Sequence, residues 1–496
     1  MGVKVTKRSP PSPAPSPAPS PAPSPAPSPA PWESVAAHEQ LFVLVTGASS
    51  GIGLSTVQHL IDDFLSSRSL NSHLIAIPTT RSSHQSLETI RALREYAIKA
   101  AQSSAALASR AGPDHKWQDA VARIHILSLI VDLCDLRAIR KLAHTLRYGT
   151  VSNPEGLGSE YLHNVRIPRL DSIVCNAAYG GWSGMSYPQA VWSLLFKGII
   201  QTATWPEFKL ALPTRILNER PSYNYPAKPL LGEVFCACVF GHYMLGHYLL
   251  PLLSRPSTNE APGRIIWSSS VEAVRKVFDV NDIQCFARPE AYESAKRLID
   301  LLSLTYSLPA ARPYSSRFLT IDDDDDDEAA AKQVVKPKLY LTHPGVVAST
   351  LFPLPWFLFW AYRLALIVCR WLGSPWHNVD GYRGAKAAVW VVLQDQEALD
   401  DVGGDRIKWG SSTDASLQVD VKKTEVEDWG WDGNPETADM IAADTAVGVL
   451  RKSVGRKIGT CDATAESIAD FEEVGAQCWQ QLEQLRAQWA DIIEED

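Results

Sequence analysis

Leu41-Phe42-Val43-Leu44-Val45-Thr46-Gly47-Ala48-Ser49-Ser50-Gly51-Ile52-Gly53 is the stretch that decides the fold. Five apolar residues in a row predict a strand. The glycines behind them predict a tight turn, and Leu54, Val57, Leu60 and Ile61 recur at helical spacing. A glycine turn that opens a helix lets backbone N–H groups approach a pyrophosphate, and the helix N-terminus adds favourable partial charge. The pattern is weak in isolation; here both the strand before it and the helix after it are present.

Downstream, short β-branched runs alternate with long helical patterns. Strands are predicted at Leu41 to Val45, His73 to Ile77, Ile124 to Ile130, Ser172 to Cys175, Arg264 to Trp267 and Lys338 to Leu341, with a crossover helix over Glu88 to Ser109. That alternation predicts an α/β, doubly wound parallel sheet of Rossmann type. The expected organisation is a tail over 1–36, one catalytic domain over 37–400 and an extension over 401–496 that ends in a helix. Within the domain lie an insertion over 182–231 and an acidic loop over 320–332.

From Ser12 to Pro31 the unit Ser-Pro-Ala-Pro repeats, a composition that favours extended chain and buries little; it reads as a solvated tail or as a ligand for a proline-recognition module. Lys plus Arg total 47 against 55 Asp plus Glu, a net charge of -8 to which the run Asp322 to Asp327 contributes much. No basic stripe or basic and aromatic patch is present, which argues against nucleic acid as a partner. The eight cysteines show no metal-ligand spacing, so no metal site is expected and the thiols read as reduced.

The residues with chemistry follow the strands. At the end of the second, Thr79-Thr80-Arg81-Ser82 carries no acid for a ribose hydroxyl, and the Arg81 guanidinium suits a 2′-phosphate, unless it is simply solvated. After the third strand, Asp132 could meet an adenine amine or stand as a loop acid. Asn176-Ala177-Ala178 follows the fourth, and Ser268-Ser269-Ser270 ends the fifth. Tyr292 and Lys296 are four apart, so they share a helix face and the ammonium can sit beside the phenol. A free phenol ionises near pH ~10, and a neighbouring cation favours phenolate.

This set, in this order, resembles the short-chain dehydrogenase/reductase family over about residues 40 to 400. The segments Gly180 to Gly184, Val239 to Tyr243, Tyr292 to Arg297, His343 to Val347, Glu425 to Trp431 and Trp479 to Trp489 resemble, within it, the fungal 3-keto-steroid reductases of sterol C-4 demethylation. The resemblance implies an NADPH-dependent oxidoreductase that reduces a 3-keto-sterol to the 3β-hydroxysterol. Gly47, Ser49, Gly51, Ile52 and Gly53 would cradle NADPH, with Arg81 on its 2′-phosphate, Asp132 on adenine and Asn176 along the ribose. Ser270 would orient the ketone, with Ser269 as its substitute. Tyr292 would protonate the ketone, and Lys296 would hold the ribose. Pro344, Gly345, Val347 and Ser349 would cover the nicotinamide. The implied location is the cytosolic face of the endoplasmic reticulum or the lipid droplet, with other sterol C-4 demethylation enzymes and the sterol cyclase as partners.

Two positions depart from the family pattern: Cys238 stands where an Asn supporting the proton relay is usual, and Ala178 where a glycine is usual. The first implies reduced turnover. The alternative readings are a reductase of another lipid carbonyl and a weakened enzyme that acts as a scaffold. Two segments remain open between structure and function. The aromatic insertion (Trp182, Trp192, Phe196, Trp205, Phe208) reads as a satellite core or as a substrate wall. Leu351 to Leu372, apolar but interrupted by Arg363 and Arg370, reads as an interfacial membrane helix with snorkelling arginines or as a pocket lid.

Overall fold

A computed structural model describes residues 29–158, 161–257, 259–321, 334–349, 354–435 and 455–494. Most of the Ser-Pro-Ala-Pro repeat, the run Asp322 to Glu328 and residues 351–353 lie outside the described residues.

Among the described residues nine strands form one sheet: β1 Gln40–Val45, β2 His73–Thr80, β3 Ile124–Ile126, β4 Leu129–Ile130, β5 Ser172–Cys175, β8 Arg264–Ser268, β9 Lys338–His343, β10 Lys408–Thr413 and β11 Val419–Thr424. β6 Trp182–Met185 and β7 Lys209–Ala211 form a separate hairpin. The order is β11-β10-β9-β8-β5-β1-β2-β3, with β4 also on β2; every pairing in the sheet is parallel except that of β11 with β10. Phe42, Val43, Leu44 and Val45 are fully buried, as a strand covered by helices on both faces must be.

One face of the sheet carries α1 Gly51–Ser67, α2 Ser83–Ser103 and α8 Lys386–Leu393. The other carries α3 Leu136–Tyr148, α5 Gly241–Tyr248, α6 Ala291–Thr305 and α9 Ala465–Glu494. Side chains set where these helices begin: Ser82 accepts from Gln85 N at α2, and Asp135 accepts from Ala138 N at α3. From β1 the chain runs outward to β2 and β3, then returns to β5 on the other side of β1. The order therefore reverses at the carboxyl ends of β1 and β5, where a crevice opens.

The doubly wound parallel sheet agrees with the sequence expectation, and Ser172–Cys175 is a strand as read. Ile124 to Ile130 splits into two short strands, and the predicted crossover helix starts earlier, as α2, and is followed by a second helix, Ala105–Ala111. Residue 400 does not end the packing unit, because β10 extends the parallel sheet from β9. The C-terminal helix packs on its own domain: Cys478, Trp479, Leu482 and Trp489 are buried, and the Trp479 Nε1 donates to Leu302 O at 3.2 Å.

Candidate active site

The glycine turn lines a cleft of about 550 Å³ at the reversal point. Gly47, Ser49, Gly51, Ile52 and Gly53 form its floor, with Arg81, Asp132, Asn176, Tyr292 and Lys296 around it. The turn is built by close approach. A Cβ at Gly53 would lie 2.4 Å from Gly47 O and 2.6 Å from Asn176 Nδ2, whereas one at Gly51, at φ +55°, would meet nothing within 4 Å. Ser50 makes no side-chain cap, so the first N–H groups of α1 are left for an anion in the cleft. A dinucleotide fits these donors, and Arg81, exposed just after β2, also lines the cleft.

Asn176 is fixed by its neighbours: its N–H donates to Thr46 Oγ1 at 2.9 Å and its Nδ2 to Thr46 O at 3.0 Å. Asp132 lies in the cleft but is already engaged, accepting from Cys134 N at 2.9 Å and from the Tyr223 hydroxyl at 3.1 Å. Tyr223 and Arg220 come from the insertion and also line the cleft, a contribution that no local motif announces.

Opposite stands α6, buried along almost its whole length. Lys296 Nζ donates to Ser268 O at 2.7 Å and lies 5.4 Å from the centre of the Tyr292 ring. Ser270 and Tyr292 line a common space, and Ser270 Oγ accepts from Glu272 N at 3.1 Å. Ser269 faces the other way, donating to Lys296 O and to the Asp300 carboxylate, so it does not stand in for Ser270. The three catalytic candidates are therefore ranked across the site. Lys296 lines the cleft, Ser270 lines a second cavity, and Tyr292 lines both.

That second cavity, of about 440 Å³, is largely apolar. Its walls come from the hairpin (Trp182, Met185), from α4 Tyr187–Thr204 (Val191, Leu194) and from α7 Trp356–Trp371 (Leu358, Tyr362). Pro344 and Ser349 line both spaces, as does Ile52, while Gly345 and Val347 line only the apolar one.

The electrostatics correct one expectation. Burial, not Lys296, dominates Tyr292 and pushes its phenol well above its ordinary value; the charges of Glu272, Cys238 and Glu293 act in the same direction, and Ser270 opposes them. Burial also lowers Lys296. Cys238 lies in a π-helical turn, Cys236–Phe240, with its Sγ donating to Tyr179 O at 3.5 Å, and burial raises its thiol. Ala178 lines the cleft.

The open segments resolve as follows. In the insertion, Trp182 and Phe208 line the cavity, Trp205 Nε1 donates to Val271 O at 2.9 Å, and Trp192 and Phe196 are exposed. One side of α7 closes the cavity while Trp356, Phe357, Trp360 and Leu364 face outward. Arg363 lies over the Trp360 ring, but Arg370 is buried rather than snorkelling, because the last turn of α7 sinks into the domain. No helix among the described residues is long and apolar enough to cross a membrane, and no group of metal ligands is found among them.

No family model matches the chain. Curated relatives do. A 3-keto-steroid reductase of Gibberella zeae is 61% identical over 462 residues, 93% of this chain and 97% of that protein. One of Aspergillus fumigatus is 37% identical over 465 residues, 92% of this chain and 95% of that protein. One of Saccharomyces cerevisiae is 25% identical over 390 residues, 78% of this chain and 90% of that protein.

Proposed function

The chain belongs to the 3-keto-steroid reductase family, and from that membership we propose that it reduces a 3-keto-sterol to the 3β-hydroxysterol with NADPH, as a step of sterol biosynthesis. The observation that carries the proposal is the position of Tyr292, the side chain shared by the nucleotide-shaped cleft, the apolar cavity, and the pair Ser270 and Lys296. NADPH, when bound, supplies the hydride. The protein orients, excludes water and moves the proton.

Ser270 and Tyr292 both line the apolar cavity, where a ketone oxygen would accept from their two hydroxyls. Tyr292 starts protonated, as its raised phenol requires, and gives its proton to the oxygen as charge develops there. Lys296, fixed by Ser268 O, keeps an ammonium on the cleft side of the phenol and can bond a ribose hydroxyl. Arg81 supports NADPH over NADH, since no ion pair holds its guanidinium among the described residues and a 2′-phosphate is a bidentate partner for it.

The apolar cavity is of the size that encloses a small lipophilic molecule, and its roof is made of α4 and α7. The outer faces of the same two helices expose Trp192, Leu195, Phe196, Trp356 and Trp360. An interfacial contact with the membrane through these faces supports delivery of a water-insoluble sterol from the lipid side, at the endoplasmic reticulum or a lipid droplet.

NADPH oxidation measured with a panel of 3-keto-sterols tests the proposal. Wild type should turn over at least one of them, and Tyr292→Phe should lose about 10²- to 10⁴-fold in kcat while still binding NADPH. Nucleotide binding without turnover of any of them would favour a scaffold instead.

A further inference from the structure

Beside Tyr292, on the wall of the apolar cavity, lies a charge cluster that the reaction scheme above does not use. Lys209, at the start of β7, forms an ion pair with Glu272 and lies 3.8 Å from Glu293 Oε1. Its ammonium sits 3.8 Å above the Trp182 ring and 5.8 Å from the centre of the Tyr292 ring. Trp182 in turn packs edge-on against Tyr292 at 4.6 Å. All three charged groups are largely withdrawn from solvent, with side chains 10%, 18% and 13% exposed. Glu293 Oε2 is buried with no hydrogen-bond partner among the described residues. Once both carboxylates are ionised, they and the one ammonium leave net negative charge in the cluster, and little water is there to screen it.

We infer that the Glu272 and Glu293 carboxylates, clamped by Lys209 on the Trp182 ring, set the pH range of catalysis: they hold the Tyr292 phenol in its proton-donating form, so that ketone reduction persists at alkaline pH. This rests on the reading of Tyr292 as the proton donor. Reduction breaks the phenol O–H bond and forms the alcohol O–H bond, so it requires protonated Tyr292. Oxidation of the alcohol runs the same transfer backwards and requires phenolate. A negative charge beside the phenol opposes phenolate and so moves the pH limbs of both directions upward, extending reduction into the alkaline range.

Among the described residues, these groups face Tyr292. Glu272 comes from the loop after β8, Cys238 from the π-helical turn, Lys209 from the hairpin, and Glu293 and Lys296 from α6 itself. Glu272 is the largest charge effect on the phenol. Glu293 in turn faces Lys209, Glu272 and Glu290, and burial lifts its own carboxyl to about 7, so its influence grows as pH rises through neutrality. Glu293 lies off the apolar cavity, whereas Glu272 and Lys209 also line it, so it is the pH profile, and not KM, that reports their action on the phenol.

The test is the pH profile of kcat in both directions for Glu272→Gln and Glu293→Gln, with Glu272→Asp as the conservative control and NADPH fluorescence to check folding. Each Gln variant should move the alkaline limb of reduction to lower pH, by about 1 unit for Glu272→Gln. The acid limb of alcohol oxidation should move the same way, and Glu272→Asp should restore the wild-type profile. Profiles that superimpose on wild type would overturn the inference, as would a loss of kcat by the same factor at every pH. Should Glu293→Gln fail to fold, Glu272→Gln decides alone. If wild type reduces no 3-keto-sterol, that reading fails separately. The cluster is then judged from tyrosinate absorbance, comparing each variant with its Tyr292→Phe counterpart: earlier ionisation in the Gln variants supports it, and unchanged ionisation overturns it.

Discussion

Lys408 Nζ donates to Ser270 O at 2.7 Å, so a residue of β10, which lies in none of the recognisable motifs, anchors the backbone of the serine beside Tyr292. The same ammonium bonds Asp300 Oδ2 at 2.7 Å, and Asp300 accepts from Ser269. Both partners are buried, and burial pushes the Asp300 carboxyl up and the Lys408 amine down. Each charge is therefore tolerated only because the other is present. Replacing Lys408 by Met should cost about 3–5 kcal/mol in a urea titration, the usual loss when a buried pair is broken. It should also lower kcat, because Ser270 loses its anchor. A loss of stability under about 1 kcal/mol, as for a surface pair, would show that the pair does not hold this part of the fold.

Arg81 should decide between the two nicotinamide dinucleotides. Its N–H is held by Gln85 Oε1 at 3.2 Å, which places the residue at the mouth of the cleft, with the guanidinium in solvent. A charge-assisted hydrogen bond contributes about 1.5–3 kcal/mol, so Arg81→Ala should weaken NADPH binding roughly 10- to 150-fold and leave NADH almost unchanged. Equal weakening of both, measured by nucleotide fluorescence, would remove Arg81 from the 2′-phosphate.

The parts of the site that could be read in the sequence are those formed by residues close together in the chain. The glycine turn works through its own backbone and the helix it opens, and Tyr292 with Lys296 share one helical face, so spacing alone locates them. Lys209, Glu272 and Lys408 are different. Lys209 reaches Tyr292 because an insertion folds into a hairpin, and Lys408 reaches Ser270 because an additional parallel strand lies beside β9. Neither pairing leaves a periodicity in the chain. β10 was also hard to read because Lys408-Trp409-Gly410-Ser411-Ser412-Thr413 is polar, yet it is buried throughout, its hydroxyls satisfied inside the fold: Ser411 Oγ donates to Gly384 O at 2.7 Å. The raised phenol of Tyr292 leaves no trace in the spacing for a related reason, since burial by distant segments outweighs the one neighbour that spacing reveals.

Cys238 gives a direct test of the departure from the family pattern. Its thiol donates to Tyr179 O, 3.5 Å away, and its charge environment includes Lys296. An Asn amide at this place could take over the bond to Tyr179 and present a carbonyl toward the lysine. Cys238→Asn should therefore raise steady-state kcat without changing NADPH affinity. No gain in a folded variant would mean that proton resupply does not pass through this turn.

The outer faces of α4 and α7 should bind lipid. Trp192 is 62% exposed, Phe196 66%, Trp356 77% and Trp360 61%, an aromatic density that water does not favour and a headgroup layer does. Arg363, lying over Trp360, would keep its charge at the same level. Burying one such side chain contributes about 1.5–3 kcal/mol, so Trp356→Ser with Trp360→Ser should reduce co-sedimentation with phosphatidylcholine and phosphatidylserine vesicles by at least about 100-fold. Because these side chains point away from the cavity, kcat on a detergent-dispersed sterol should stay near wild type while turnover of a vesicle-bound sterol falls. Equal loss in both assays would assign the aromatics to folding, and unchanged sedimentation would remove the membrane contact from these helices.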